Sequence, residues 1–199
     1  MKRLFVLLVA LVASFSMVAE NTIVESPATD AVYRLPMERG VAVVARALTP
    51  VNLGVSMSLN QIDFCAWELS ATRTSEVVAP REGVVESVVG DEVVILHPDG
   101  LYTKLMLVEG VSVSVGDRLE KGDKVGLASA SSNGSWRVWM ATYYLESNPN
   151  YGTPARNGKY EHLVKYINPI FTTKSKCKVM LLDGGAYTVK ARTWCWFWE

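Results

Sequence analysis

Histidine is nearly missing from this chain, with two residues in 199. Most imidazole-built metal centres need more than that, so a His-rich metal site is excluded at the outset. Net charge is missing as well. Twenty Lys and Arg balance 20 Asp and Glu, so no overall field recruits nucleic acid or an anionic membrane. No stretch holds a sustained 3.6-residue period. No Gly-x-Ser-x-Gly elbow occurs, and no phosphate-cradling Gly-x-x-x-x-Gly-Lys loop. Paired carboxylates such as Asp91-Glu92 lie in turns, where exposure keeps them ionised and inert. Cysteine is sparse too: Cys65, Cys177 and Cys195 allow at most one intramolecular bridge and leave one thiol over.

What is present is apolar bulk, 49% of the residues, enough for a real core. Part of it lies at the N-terminus. Lys2 and Arg3 precede an uncharged run, Leu4 to Ala13, and then the small-residue stretch Ser14 to Ala19. That is the grammar of a secretory signal peptide over residues 1–19. The uncharged stretch Leu4 to Ala19 falls short of the roughly 20 residues a spanning helix needs, so no stable membrane anchor is expected after cleavage. A periplasmic or secreted protein is the expectation, and export permits disulfides. Cys177 and Cys195 flank two β-rich runs joined by Asp183-Gly184-Gly185, which predicts a C-terminal hairpin within residues 174–199 closed by a Cys177–Cys195 bridge. Cys65, between Phe64 and Ala66, reads as a small buried apolar residue.

Nearly every later segment reads as strand: Val41 to Ala47, Val84 to Val89, Val93 to Leu96, Tyr102 to Val108, and the Val/Ser alternation Val111 to Val115. Gly and Asp punctuate them at Gly90-Asp91, Asp99-Gly100, Gly116-Asp117 and Gly122-Asp123. Pro149 to Gly158 reads as an irregular loop, and Tyr160 to Tyr166 as one helical turn or two. The fold class is therefore all-β, a small antiparallel sandwich or barrel. Residues 20–58 are an N-terminal extension with strands, and residues 59–173 form the main domain.

The most specific stretch runs from Val78-Ala79-Pro80-Arg81-Glu82-Gly83 to Gly116-Asp117 and Gly122-Asp123-Lys124-Val125-Gly126. Two families share this grammar, the biotinyl/lipoyl hammerhead and the M23/LytM peptidases that cut peptidoglycan cross-bridges. In the hammerhead the two turns lie about fifteen residues apart. Here Gly83 and Gly116 are 33 residues apart, and a hairpin, Val93 to Leu105, intervenes. That hairpin resembles the M23 segment in which an Ile-x-His-x-x-Gly strand returns as Thr-x-Tyr-x-His-Leu. Asn133-Gly134-Ser135 stands where the family has a Gly-rich loop before a His-x-His strand, and Asn168-Pro169-Ile170 resembles its closing Asn-Pro-Leu. The resemblance implies a LytM-type (duplicated hybrid motif) fold.

It also implies a zinc site, which this chain does not complete. The family's ligands are an early His-x-x-x-Asp pair and the second His of His-x-His, with two further histidines for catalysis. Taking the early motif at Ile62-Asp63-Phe64 puts Leu59 at the His and leaves only Asp63. The hairpin His falls near Leu107, and Trp136-Arg137-Val138-Trp139-Met140 replaces His-x-His. One carboxylate does not hold a catalytic zinc, so zinc is expected to be absent. His97, before Pro98, reads as a strand-end histidine, and His162 as a surface one.

The resemblance then implies a catalytically inactive envelope protein that binds peptidoglycan or a cell-wall hydrolase. The alternatives are an active M23 zinc endopeptidase with an unrecognised site and a hammerhead adaptor module. The groove candidates are Asp63, Trp136, Arg137 and Trp139. Trp136 and Trp139 face opposite sides of a regular strand, so at most one points into the groove. An open or half-open apolar cleft is expected, with Arg137 facing Asp63 or an anionic ligand. Trp194, Trp196 and Trp198 share one face at the chain end, either docked on the domain or forming a contact surface.

Overall fold

In a computed structural model, residues 31–49, 61–62, 65–176 and 178–190 are described. The signal segment, Leu59, Asp63, Cys177, Cys195 and the tryptophan tail lie outside the described residues. All sixteen elements within them are strands. In chain order they are β1 (Val32–Arg34), β2 (Ala42–Leu48), β3 (Gln61–Ile62), β4 (Ala66–Ala71), β5 (Glu76–Val78) and β6 (Gly83–Val89). Next come β7 (Glu92–Leu96), β8 (Tyr102–Met106), β9 (Val108–Glu109), β10 (Arg118–Leu119) and β11 (Lys124–Ala130). The last are β12 (Trp136–Ser147), β13 (His162–Ile167), β14 (Ile170–Thr172), β15 (Val179–Met180) and β16 (Ala186–Thr188).

The main sheet follows the order β10-β6-β7-β8-β12-β4-β2-β16, antiparallel at every step. Its axis is β12, long enough to pair with β4 through Trp136–Ala141 and with β13 through Thr142–Ser147. The small strands β5 and β9 join through β11, and β1-β14-β15 form a separate three-stranded sheet. Among the described residues no closed barrel forms, so the architecture is an open, mostly antiparallel sheet and sandwich.

Strand alternation decides where the core lies. On β12, Val138 and Met140 point one way and are 0% and 1% exposed; Arg137 and Trp139 point the other. The first face joins Leu69, Val93, Ile95 and Leu105 from neighbouring strands. Across from it pack Tyr33, Val77, Val108, Val125 and Phe171 from the smaller elements. The Ala-Pro-x-x-Gly segment and both Gly-Asp turns close one end. Gly122 N–H donates to Ala79 O, Ala79 N–H to Asp123 O, and Val85 N–H to Asp117 O. Each turn aspartate accepts a backbone N–H three residues before it, Ser114 to Asp117 and Glu120 to Asp123, both at 2.8 Å. Gly83 is required there because a Cβ would lie 2.5 Å from the Leu96 carbonyl oxygen.

Three sequence expectations need correction. The C-terminal turn forms at Asp183-Gly184, closed by Gly185 N–H to Leu182 O, but among the described residues its arms do not pair with each other. β15 pairs with β14, whereas β16 pairs with the free edge of β2. That edge captures the turn itself: Gly184 N–H donates to Ala45 O, Ala45 N–H to Gly185 O, and Ala47 N–H to the Asp183 carboxylate. An unpaired strand edge outcompetes a hairpin whose arms are this short. Val111 to Val115 keeps its alternation, with Val111 and Val113 against the core, but forms no strand. Tyr160 to Tyr166 is not helical, because residues from His162 on are paired to β12 in full register. Tertiary pairing overrides the weak local preference in the second segment.

Candidate functional site

The candidate site lies on the sheet face turned away from the core. Register places Trp139 directly across from Glu68, and Glu68 directly across from Arg46. Arg137, two residues before Trp139, shares its face. The four side chains meet at one carboxylate. Trp139 Nε1–H donates to Glu68 Oε2 at 2.8 Å, and Arg137 Nη1 donates to the same oxygen at 3.5 Å. Arg46 Nη2 lies 3.2 Å from Oε1. The Arg137 guanidinium carbon is 5.8 Å from the Trp139 ring centre, a cation–π approach.

Glu68 is 8% exposed in a strand whose other central residues are apolar. A carboxylate so placed is stable only with donors around it, and here it has three. The cations are less enclosed, with side chains 56% (Arg46) and 33% (Arg137) exposed. Arg137 Nε is buried with no acceptor. One step along the same face lies a small apolar cluster, Leu48, Ala66, Met106 and Ala141, roofed by the half-buried Trp139 and Tyr166. Beyond it Tyr143 stacks on Tyr102 (centroids 5.3 Å, planes 9° apart) and meets Tyr166 at 5.8 Å. Burial raises the pKa of all three hydroxyls.

Of the residues singled out in the sequence, Arg137 and Trp139 come together here. Trp136 does not; it lies partly buried against the main core. Asp63 falls outside the described residues, and the carboxylate that Arg137 faces is Glu68. Sequence reasoning passed over Glu68, although a lone acid inside the run Ala66-Trp67-Glu68-Leu69 is itself a signal, since such a residue is buried only when paired. Leu107, where the resemblance would put a histidine, has φ 61°, a left-handed backbone at a non-glycine residue.

His97 belongs to a different cluster, on the core side of the sheet. Its Nδ1 lies 2.7 Å from the Glu82 backbone oxygen and its Nε2 2.8 Å from Thr103 Oγ1. A carbonyl only accepts, so Nδ1 carries the proton and Nε2 accepts from the threonine hydroxyl. The ring is 2% exposed, and Tyr33 packs edge-on at 5.4 Å. Arg81 closes the cluster through Asp99 at 2.6 Å. Burial, more than the nearby Arg81 charge, lowers the His97 pKa to about 4, against a favourable bond to the Glu82 carbonyl. Burial likewise pushes the Tyr33 hydroxyl up to about 12. His162 sits opposite Ser147, eight residues beyond Trp139 along β12 and so on the order of 25 Å away. Cys65 is a free, half-buried thiol packed against the core, its pKa raised by burial.

No group of three or more His, Cys, Asp and Glu side chains among the described residues could hold a metal ion. The described residues do not fit zinc on chemical grounds either. Glu68 is already claimed by two cations and an indole, His97 is spent on Glu82 and Thr103, and an indole N–H only donates.

Residues 65–145 match the model of Peptidase family M23. The domain has the M23/LytM-type architecture. The match begins at Cys65 and ends at Leu145, so it takes in both Glu68 and the Arg137–Trp139 strand. Among solved structures, Helicobacter pylori Csd3 is similar at 14% identity and TM-score 0.39, over 57% of this chain; the chain spans 30% of that protein. A chain of the SpoIIQ–SpoIIIAH pore-forming complex is similar at 18% identity and TM-score 0.42, over 58% of this chain and 85% of the other. The deep-sea M23 metalloprotease pseudoalterin is similar at 14% identity and TM-score 0.45, over 82% and 98%. No curated protein sequence matches the chain. No helix among the described residues is long and apolar enough to cross a membrane, which says nothing of β-barrels.

Proposed function

We propose that this protein is a catalytically inactive M23/LytM-type domain, exported to the cell envelope, that binds peptidoglycan or a cell-wall hydrolase as a regulatory or structural partner. The observation that carries this reading is the Trp139–Glu68 pair. At the strand where the family resemblance calls for a metal-binding imidazole, an indole donates to a carboxylate fixed by two arginines. A hydrolytic zinc needs three protein ligands and an open water position. Here the one acid is neutralised by guanidinium groups, which repel a dication. The residual polarity and the aromatic surface suit binding. The N-terminal residues 1–19, a signal peptide in this reading, direct the chain to the periplasm or outside, and the domain proper spans residues 59–173.

The test uses the mature full-length protein. It should contain well under one equivalent of zinc after dialysis, leave cell walls unlysed, and co-sediment with purified sacculi or with a cell-wall hydrolase. Stoichiometric zinc with loss of folding on chelation would restore the endopeptidase reading and end this one.

A further inference from the structure

We infer that the edge strand β15, with the turn before it and the chain segment after β16, docks reversibly on an anionic phospholipid surface. This edge lies apart from the Glu68 cluster, and the inference does not rest on the role proposed above. The chain is neutral overall, but its charge is segregated. Residues 174–199 hold five Lys and Arg against two acids, whereas residues 20–173 hold 13 against 18. Of those two acids, Asp183 is tied to the Ala47 N–H at 2.8 Å, and Glu199 lies beyond the tryptophans. The strands gathered around this edge, β1, β2, β14, β15 and β16, carry no acid. Lys174, Lys176 and Lys178 are exposed, and among the described residues none of the three forms an ion pair. Such a cluster attracts a surface of opposite charge whatever the net charge of the chain.

What lies beside the lysines selects a bilayer over a soluble polyanion. Val179 and Leu181 turn toward the core, so Lys178, Met180 and Leu182 share the outward side of the strand. Met180 is 51% and Leu182 68% exposed, on a strand that pairs only with β14. The segment after β16 is delivered to the same place. Lys174 N–H donates to Thr188 O at 2.8 Å and Thr173 bridges Val189, so the chain passes Lys190 beside the lysine turn. The next eight residues include Arg192, Trp194, Trp196, Phe197 and Trp198. Lysine stems reach phosphate while their methylenes stay in apolar surroundings, and indoles favour the headgroup boundary, where one end is apolar and the other wet. A soluble polyanion would engage the lysines and leave Met180, Leu182 and the indoles exposed to water. A bilayer surface takes both sets. The contact is peripheral, since no helix among the described residues is long and apolar enough to span.

The test is co-sedimentation of the mature full-length protein with vesicles of phosphatidylglycerol and phosphatidylethanolamine, and with vesicles of phosphatidylcholine alone. Binding to the anionic vesicles should be at least tenfold tighter at about 0.1 M salt and should weaken at least tenfold at about 0.5 M, where surface charge is screened. Each lysine near the surface contributes about fivefold, so changing Lys174→Gln, Lys176→Gln and Lys178→Gln together should cost at least twentyfold. Met180→Ser with Leu182→Ser should cost at least threefold and leave the salt dependence in place. These five side chains are exposed, so the thermal midpoint should not move. Should the triple lysine variant fail to fold, Lys176→Gln alone carries the same test at about fivefold. Tryptophan emission should shift to shorter wavelength on the anionic vesicles, and Trp194→Ser with Trp196→Ser and Trp198→Ser should abolish that shift. No binding, equal binding to both vesicle types, or binding unchanged in the lysine variants would overturn the inference. So would polyglutamate bound as tightly as the vesicles with no effect of the Met180 and Leu182 changes, which would assign the edge to an acidic macromolecule.

Discussion

Two polar clusters sit on opposite faces of one sheet, and they have been finished differently. On the core face, around His97, both ring nitrogens have partners and the ring is 2% exposed, though the Tyr33 hydroxyl beside it is buried with no hydrogen-bond partner. On the outer face, around Glu68, the acid is fully engaged but the cations reach solvent and one buried donor has no acceptor. A closed network fixes structure, because every buried group lost from it leaves another unsatisfied. An open one keeps capacity for a partner, because its charges are held in place without being exhausted. One strand pair, β8 and β12, supports both.

The largest effect should come from breaking the closed side. His97→Ala leaves the buried Thr103 hydroxyl without its partner, removes the bond to the Glu82 carbonyl and opens a cavity against Tyr33. A loss of about 4 kcal/mol is expected by urea denaturation. A loss under about 1 kcal/mol would show that the network is not closed.

Acid should attack the same side next. The folded His97 pKa is about 4, below the ordinary 6.5. Between those values the unfolded chain takes up a proton that the folded protein refuses, so falling pH favours unfolding. The loss begins near pH 6.5, is complete near pH 4, and amounts to about 3 kcal/mol. Denaturation midpoints measured from pH 7 to 4 should fall accordingly, and His97→Ala should flatten that dependence.

The open side should respond less. Glu68→Ala strands Trp139 Nε1 and two guanidiniums, but Arg46 and Arg137 can turn to water, so about 2 kcal/mol is expected. A cost matching that of His97→Ala would mean that the two sides are equally closed. The smallest effect belongs to Trp139→Phe, which keeps a ring and removes one donor to Glu68, for about 1 kcal/mol by thermal unfolding.

Local pattern carried much of this fold. The runs Val93 to Leu96 and Tyr102 to Val108, with the Pro98-Asp99-Gly100 turn between them, gave a hairpin that forms, its return strand ending at Met106 before the left-handed Leu107. The Gly-Asp turns were legible for the same reason, since aspartate accepts from its own neighbouring backbone. Less of the site was visible. Arg137 and Trp139 stood out by replacing expected histidines, and their shared face followed from period-2 geometry. Glu68 did not stand out, because its importance depends on which residues lie across its two strand pairings, Arg46 on β2 and, 69 to 71 residues away in sequence, Arg137 and Trp139 on β12.

The sequence by itself determined an all-β chain, the turns that punctuate it, and a supply of two histidines. These follow from composition and from interactions within a few residues. The tertiary structure alone decided that the C-terminal arms separate onto different sheets, that His162 begins a strand, and that Glu68 rather than any nearer acid faces Arg137. Each of these depends on strand edges and register. Such pairings are settled by what the rest of the chain leaves unpaired, and no local window of residues contains that information.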